Sequence, residues 1–585
     1  MKPKSPKRNL IVGFFGLLGF LGILYNFAML SRFRWPIALC ACAVLLAVAM
    51  QLPQWIHGAS PLYRGIPVVL NSDEGIYLAR VEEALNGRPG QASEAIIGDP
   101  KVQGSQQALI EPMEGILFSW TGLRAWSVFQ ILDSIIPPLL FLTLWFFLRR
   151  CGFSKGQALA GAALFCILEL YNLNRPVYQR TSFLLTLLAM LGIMKGMDQK
   201  RLWGILGGAL LGILIGVYFW AWTFAWAWWG ILLVWEAGEF FCTGDGRGFV
   251  SRFSVFVPSF WKGRLGWLLL FGAVGVLAGS PFVFHLLSLS HDPLYAEAVF
   301  RSGIHPSHLP ESWAYSILFF AMAAGILIAL VRHPAFLRPF RYAIVTVLAG
   351  FVALNQQIIH GQVFMFASHY LFALILAAII SLLLSVRFVR SSHWLLLSLV
   401  ASAIYLAAIG YDGRYVLTQN TAKAGDFRTQ HFASALPVLD RMPRTTILSD
   451  SDTSLFLAGA TKHDVVYALY LKNVLISHEE LARRYCLSVL AAPPSAWHIA
   501  AQPLLLWPDA DGAYKNDPSV RQREVRLVTQ ACTAMDSDPK AALHAFGVRY
   551  ILWDTQQHPQ WDLRRLKVSL TKTASGEGWE LWKVQ

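Results

Sequence analysis

The chain has 585 residues, 55% of them hydrophobic and only 14% charged, with a mean hydropathy of +0.47. Soluble domains carry about a quarter of their residues as charges, so a soluble globular class is excluded. The formal charge is +14, but residues from Tyr411 onward hold 20 Lys and Arg against 18 Asp and Glu, leaving +12 in the apolar part. That excess sits in short links between apolar runs, which is a membrane-topology pattern and not a nucleic-acid footprint.

Two apolar runs come first, near Leu10–Leu30 and Pro36–Leu52. Lys2, Lys4, Lys7 and Arg8 precede the first and imitate a signal peptide, but no small-residue cleavage site follows, so the run reads as a membrane segment. Runs of this kind recur to Gly410, and at roughly 17–25 residues each they predict a polytopic α-helical protein of about 11–13 membrane helices. Arg149, Arg150 and Lys155, then Lys200 and Arg201, Arg247 to Arg264, Arg332 to Arg341, and Arg387 to Arg390 fall on alternate connections. With those placed in the cytoplasm, four connections lie outside: 54–125, 174–181, 288–312 and 355–366. The region from Asp412 lies outside too. Arg32 and Arg34 agree with this weave, whereas the four basic residues before the first run conflict with it.

The 54–125 connection is too long for a simple link, and long ordered loops usually carry function. It holds eight acids and five bases. Within it, Asn71-Ser72-Asp73-Glu74-Gly75-Ile76-Tyr77 opens a short helix. Ser72 is a natural N-cap, and Asp73 and Glu74 fall in the first turn. Ile76, Ala79, Val81, Ala84 and Leu85 form an apolar stripe, and Asn86-Gly87-Arg88-Pro89 ends the helix. The stripe predicts a helix lying along the membrane surface, apolar face down. The two acids suit either the helix dipole or a catalytic role.

Further along, Asp133 and Glu169 fall within or at the edges of spans, where a charge must be paired, line a cavity or sit at an interface. Arg175 and Arg180, with Tyr178 between them, sit on an outer connection, against the positive-inside rule. They suit a phosphate or the lipid headgroups. The run from Tyr218 to Trp229 is dense in tryptophan, which suits an interfacial belt or a ring-stacking surface. The 355–370 stretch is polar for a link between spans, and His360, Gln362, His369 and Tyr370 are candidates to line a sugar or phosphate site. The 288–312 connection, with His291, Asp292, Glu297, Arg301, His305 and His308, is either a mobile substrate loop or solvated surface.

From Tyr411 the chain reads as an extracytoplasmic α/β domain, giving a division into 1–410 and 411–585. Strands are predicted at Thr445–Asp450, Asp464–Ala468 and Phe546–Asp554, a helix at Asp452–Ala460, and a closing hairpin over Val568–Val584. The alternation favours a small, mostly parallel sheet. It contains no glycine-rich phosphate loop and no nucleophile elbow. Its expected role is to cover the membrane site or bind an acceptor. Cys486 and Cys532 are the two cysteines of this domain and form a candidate disulfide; no cysteine spacing suggests zinc.

A large first external loop with an acidic pair, many spans and an external C-terminal domain together resemble the GT-C superfamily of membrane glycosyltransferases. That superfamily includes oligosaccharyltransferase catalytic subunits, protein mannosyltransferases and aminoarabinose transferases. The resemblance implies transfer of a sugar from a polyprenyl-phosphate donor to an acceptor on the outer face of a bacterial inner membrane. It assigns the general-base or metal-ligand role to Asp73, with Glu74 as helper. The reaction expected is a direct, inverting displacement; the chemistry separately asks for cations at the departing phosphate, for which Arg175 and Arg180 are the candidates, with His369 and Tyr370 lining the pocket. The metal-dependent oligosaccharyltransferases carry an acidic motif in the second outer loop that this chain lacks, so a divalent metal is left open and metal-independent transfer is favoured. The rival readings are a transporter or flippase for a lipid-linked glycan, which requires repeat symmetry and broken helices, and a non-catalytic envelope-assembly protein. The partners expected are the lipid-linked donor, an envelope glycan, lipid or protein acceptor, and membrane lipids.

Overall fold

The computed structural model describes residues 34–70, 74–89, 104, 109–170, 172–174, 178–198, 200–242, 263–363, 367–423, 425–468, 471, 474–493 and 517–585. The first apolar run, Asp73 and Arg175 therefore lie outside the described residues. In chain order the helices are α1 (Arg34–Gly58), α2 (Glu74–Leu85), α3 (Ile110–Phe118), α4 (Ala125–Arg150), α5 (Lys155–Leu168), α6 (Tyr178–Met197) and α7 (Arg201–Ile213). They continue as α8 (Phe219–Cys242), α9 (Arg264–Ser290), α10 (Tyr295–Arg301), α11 (Trp313–Arg332), α12 (Arg341–Leu354), α13 (Leu371–Phe388) and α14 (Leu395–Lys423).

Among the described residues, seven helices are long and apolar enough to cross a membrane: α1, α4, α6, α9, α11, α13 and the Leu395–Gly413 part of α14. The rest of the bundle is shorter, as in α5, α7 and α12, or rich in tryptophan, as in α8, so fewer helices meet that standard than the apolar runs suggested. The protein is a polytopic helical membrane protein with a C-terminal mixed α/β domain. The connections segregate to two ends. At one end the basic residues find partners near their own links: Arg150 with Asp198 at 2.8 Å, Arg264 with Glu236 at 3.1 Å, and the Arg332 guanidinium over Trp394. At the other, α2 from the described part of the 54–125 connection and α10 from the 291–312 segment pack against the C-terminal domain.

Glycines set how closely three of the helices approach. A Cβ at Gly192 or Gly196 of α6 would meet the backbone of Gly207 or Gly204 of α7, and one at Gly212 would run into the Gly275 carbonyl of α9. Small residues on both faces let α7 lie nearly backbone-to-backbone between its neighbours. Gly212→Leu is expected to force α9 away and to cost about 2–3 kcal/mol, read as a fall in the thermal midpoint of the purified protein.

The tryptophan run packs inside the bundle and not as an interfacial belt. Trp228 is fully buried and donates its indole N–H to Thr346 Oγ1 at 3.1 Å, and Trp229 donates to the Leu268 carbonyl at 3.1 Å. Because α8 is flanked by α12, α9 and α6, these two rings find both apolar contact and a hydrogen-bond acceptor.

The C-terminal domain carries a sheet in the order β4-β3-β5-β7-β6, where β3 is Thr446–Leu448, β4 Asp464–Val465, β5 Val548–Asp554, β6 Leu570–Gly576 and β7 Trp579–Val584. β3 runs parallel to β4 and β5, while β5, β7 and β6 are antiparallel. The sheet is mixed, not mostly parallel, because the closing hairpin turns at Gly578, with φ of +84°, and zips onto β5. Helices α15 (Ser451–Ala460), α16 (His478–Val489) and α17 (Pro518–Ser537) cover it, and Cys486 of α16 and Cys532 of α17 form a disulfide.

The helix opened by the acidic pair does not lie on a membrane surface. Residues 74–76 and 78–84 of α2 are buried, because the helix is enclosed by α3, α4 and α15. Leu455 of α15 sits over Gly75, and Leu78 meets Gly459. Polar positions that the stripe placed outward are used in pairing: Arg80 with Glu111 at 2.8 Å, Glu83 with Arg88, and Glu82 accepting the Ala125 amide at 3.0 Å.

The 291–312 connection likewise is neither free loop nor bare solvated surface. Its short helix α10 docks on the C-terminal domain, where the buried Arg301 donates to the Val474 and Ile476 carbonyls at 2.7 and 2.8 Å. Residues His305–Pro306 then pair as β1 with β2 (Gln362–Val363). Arg301→Ala is expected to strand those carbonyls at a cost of about 1.5–3 kcal/mol. Faster limited proteolysis of the 291–312 connection would report it.

Candidate active site

Between the membrane bundle and the C-terminal domain lies a cavity of about 430 Å³. Its membrane wall is α4, presenting Trp126, Phe129, Gln130 and Asp133, together with Glu74 and Leu78 from α2. Its domain wall is the start of α15, with Ser451, Asp452, Leu455 and Phe456, and Asp426 and Arg428 are at its rim. Aromatic rings beside carboxylates and amides are the usual lining of a site for a partly apolar, hydroxyl-rich ligand.

Glu74 is buried at the first position of α2, and its Oε2 accepts the Leu70 amide at 3.0 Å. That bond ties Leu70 to the helix start, where Glu74 lines the cavity wall. Asp133 stands eight residues into α4, about 12 Å along its axis from Ala125. It forms a buried ion pair with Arg180 of α6, which also donates to the Leu173 carbonyl at 3.1 Å. The cavity therefore reaches from the domain interface down into the bundle. Glu169, the other acid singled out near a span, is buried at the end of α5 and accepts from Asn172 Nδ2 at 2.7 Å.

On the domain wall, Asp450 caps α15 by accepting the Asp452 and Thr453 amides, each at 3.0 Å, and its Oδ1 lies 3.4 Å from His558 Nε2. Burial pushes Asp450 up, but the His558 hydrogen bond and charge and the Thr453 bonds outweigh it, so the carboxyl ends below its ordinary range. The bond to Asp450 in turn raises His558. Asp452, which faces the cavity, is raised by burial and then by the Asp450 charge. The domain thus brings a strong acid beside a weakened one.

The predicted site residues divide. Glu74 and, through Asp133, Arg180 belong to the cavity. Tyr178 begins α6, two residues before Arg180. His369 and Tyr370 line a separate small pocket with Ser182, Tyr218 and Trp220. There Tyr218 Oη is 2.7 Å from His369 Nδ1, and Tyr370 Oη is 2.7 Å from Thr223 Oγ1 and also bonded by Gln356. His360 and Gln362 are exposed at the far connection, where the Gln362 amide donates to His360 Nδ1 at 3.2 Å. Sequence reasoning missed Gln130, Asp452, Asp426 and Arg428. Nothing in their local sequence marks them, since a fold contact 300 residues or more away brings the last three to α4. Among the described residues no group of three or more His, Cys, Asp or Glu is placed to hold a metal.

No family model matches the chain, and no curated protein matches it. Among solved structures it is similar to the Archaeoglobus fulgidus oligosaccharyltransferase tethered to an acceptor peptide containing the NVT sequon. That match has 13% identity, a TM-score of 0.46, and covers 93% of this chain and 74% of that one. It is similar also to ArnT from Cupriavidus metallidurans bound to undecaprenyl phosphate, at 13% identity and a TM-score of 0.46, over 94% of this chain and 98% of that one. A third is the mycobacterial arabinofuranosyltransferase AftD, at 15% identity and a TM-score of 0.42, over 95% of this chain and 40% of that one.

Proposed function

We propose that this protein is a membrane glycosyltransferase that moves a sugar from a polyprenyl-phosphate donor to a cell-envelope acceptor, with the cavity end of the bundle and the C-terminal domain on the outer side of the inner membrane. The observation that carries this reading is the cavity itself: Glu74 of α2 and Asp133 of α4 line one space with Trp126, Phe129 and Phe456, and residues of the C-terminal domain form its other wall. The chemistry asks for little more. A carboxylate takes the proton from the acceptor hydroxyl or amine as its lone pair attacks the anomeric carbon. The carbon–oxygen bond to the lipid phosphate breaks, and the phosphate leaves with that electron pair, balanced by cationic groups. Asp73 is the proposed base, one residue ahead of the cavity-lining Glu74. Arg180, in the first turn of α6, and Arg175, five residues earlier in the sequence, are the proposed cations on the phosphate side. Trp126 and Phe129 suit stacking against a sugar ring.

The test uses the purified full-length protein in lipid vesicles, supplied with radiolabelled lipid-linked sugar extracted from a strain lacking the protein. Transfer of label to a co-extracted envelope acceptor is the expected result. Movement of intact labelled lipid across the vesicle, without transfer, would establish the transporter reading instead. No reaction and no movement would leave the non-catalytic assembly role.

A further inference from the structure

Beneath the cavity lies a cluster of ionisable side chains, each at most 8% exposed: Arg80, Glu111, Glu114, Asp133 and Arg180. Arg80 is joined to Glu111 at 2.8 Å, and Arg180 to Asp133. Those two pairs are balanced in charge. Glu114 is the carboxyl left over, and its Oε2 is buried without a hydrogen-bond partner. So are Nε and Nη2 of Arg180, whose Nη1 serves both Asp133 and the Leu173 carbonyl. A third buried carboxylate would be an uncompensated charge, so the neutral form is the one that fits.

The helix that carries Glu114 cannot move out of the way. Gly115 of α3 is pressed on Ala84 and the backbone of α2, where any Cβ would clash. The groups that face Glu114 are accounted for element by element. From α2, Arg80 turns to Glu111, Glu82 to the Ala125 amide, and Glu83 to Arg88. From α4 comes Asp133, and from α6 Arg180; Glu111 lies on its own helix. Burial pushes Glu114 up to about 8; Arg180 opposes the rise, and Glu111 and Asp133 add to it.

We propose that Glu114 is a positioning residue for the cavity: while neutral it leaves the Arg180 guanidinium to Asp133, and on ionising it captures the unused N–H groups of Arg180 and releases the cavity carboxylate. Only the activity readout of this inference rests on the transferase reading. Glu114 does not line the cavity and acts through Arg180. The proton it loses goes to solvent, and no covalent bond changes.

The experiment measures label transfer, in the vesicle system above, across about pH 6–10 for wild type and Glu114→Gln. Wild type is expected to lose activity about tenfold per pH unit above about 8, as one ionisation requires, and Glu114→Gln to lack that alkaline limb. An identical limb in both proteins, or a flat wild-type profile, overturns the proposal. Should Glu114→Gln fail to fold, Glu114→Asp keeps a titrating group on a shorter arm and must move the limb; an unmoved limb overturns it equally. Infrared spectroscopy gives a readout independent of turnover, because a protonated carboxyl has a resolvable C=O stretch. In the wild-type-minus-Glu114→Gln difference spectrum that band should be present at neutral pH and vanish on alkalinisation with a midpoint near 8, the other raised carboxyls, such as Glu83, cancelling between the two proteins. If the difference band is absent, Glu114 is ionised and the proposal falls. If it titrates as stated but no sugar moves at any pH, the transferase reading fails and the neutral Glu114 stands.

Discussion

Asp73→Asn, expressed at wild-type abundance in a strain lacking the protein, is expected to restore envelope glycan transfer at a rate about 10²–10⁴-fold below wild type, the usual worth of a positioned general base. Asparagine keeps the size of aspartate and accepts a hydrogen bond, so a mere helix-start role would survive the change at a cost of a few tenths of a kcal/mol in the dipole interaction. A carboxylate that must accept a proton would not survive it. Glu74→Gln provides the contrast. Its Oε2 already holds the Leu70 amide, so the amide side chain can keep that bond, and a milder loss of transfer is expected than at Asp73. Equal restoration of the glycan by wild type and Asp73→Asn would end the catalytic assignment, and the transporter reading would then take precedence.

Arg180→Leu is expected to remove about 3–5 kcal/mol of stability, because it leaves the Asp133 carboxylate buried without its counter-charge. Asp133→Leu should cost a comparable amount by stranding the guanidinium. The double variant, with both charges gone and two apolar side chains in their place, should recover most of the loss, since a buried ion pair roughly breaks even against well-packed hydrophobic residues. Thermal unfolding of the four proteins in detergent closes a double-mutant cycle with a large coupling term. Additive losses would mean that the two side chains do not depend on each other. The same proteins separate stability from function: the double variant should be folded yet defective in transfer, because Asp133 faces the cavity and Arg180 holds it there.

Most of the bundle was legible in the sequence because hydrocarbon imposes a simple rule. Apolar runs predicted the long helices, and Arg150 pairs with Asp198 between two of the basic links that the weave put on one side. The acid at position 133 was legible as a residue that must be paired, and its partner is Arg180. Less was legible where a helix meets protein in place of lipid. The α2 stripe implied one buried face, yet Arg80, Glu82 and Glu83 on the other face are buried too, each with its own partner. The Trp228 and Trp229 rings suited an interfacial belt but close the gap between α8 and its neighbours. His369 and Tyr370 are joined to α8 in a pocket of their own, apart from the one containing Glu74.

Sequence alone determined the membrane class, the helix in the first long connection and the strand-bearing C-terminal domain. Each follows from local composition and periodicity, which act over a span of tens of residues. Tertiary structure decided that α15 packs on the Glu74 helix and that Asp452 and Arg428 line one cavity with Gln130 and Asp133. It also decided that the sheet is mixed and that Glu114 is the carboxyl left over beside two buried ion pairs. Those outcomes depend on which side chains, hundreds of residues apart, must share one small buried volume. Burial leaves no water to satisfy them, so each charge is balanced by a partner whose place in the chain no local pattern reveals.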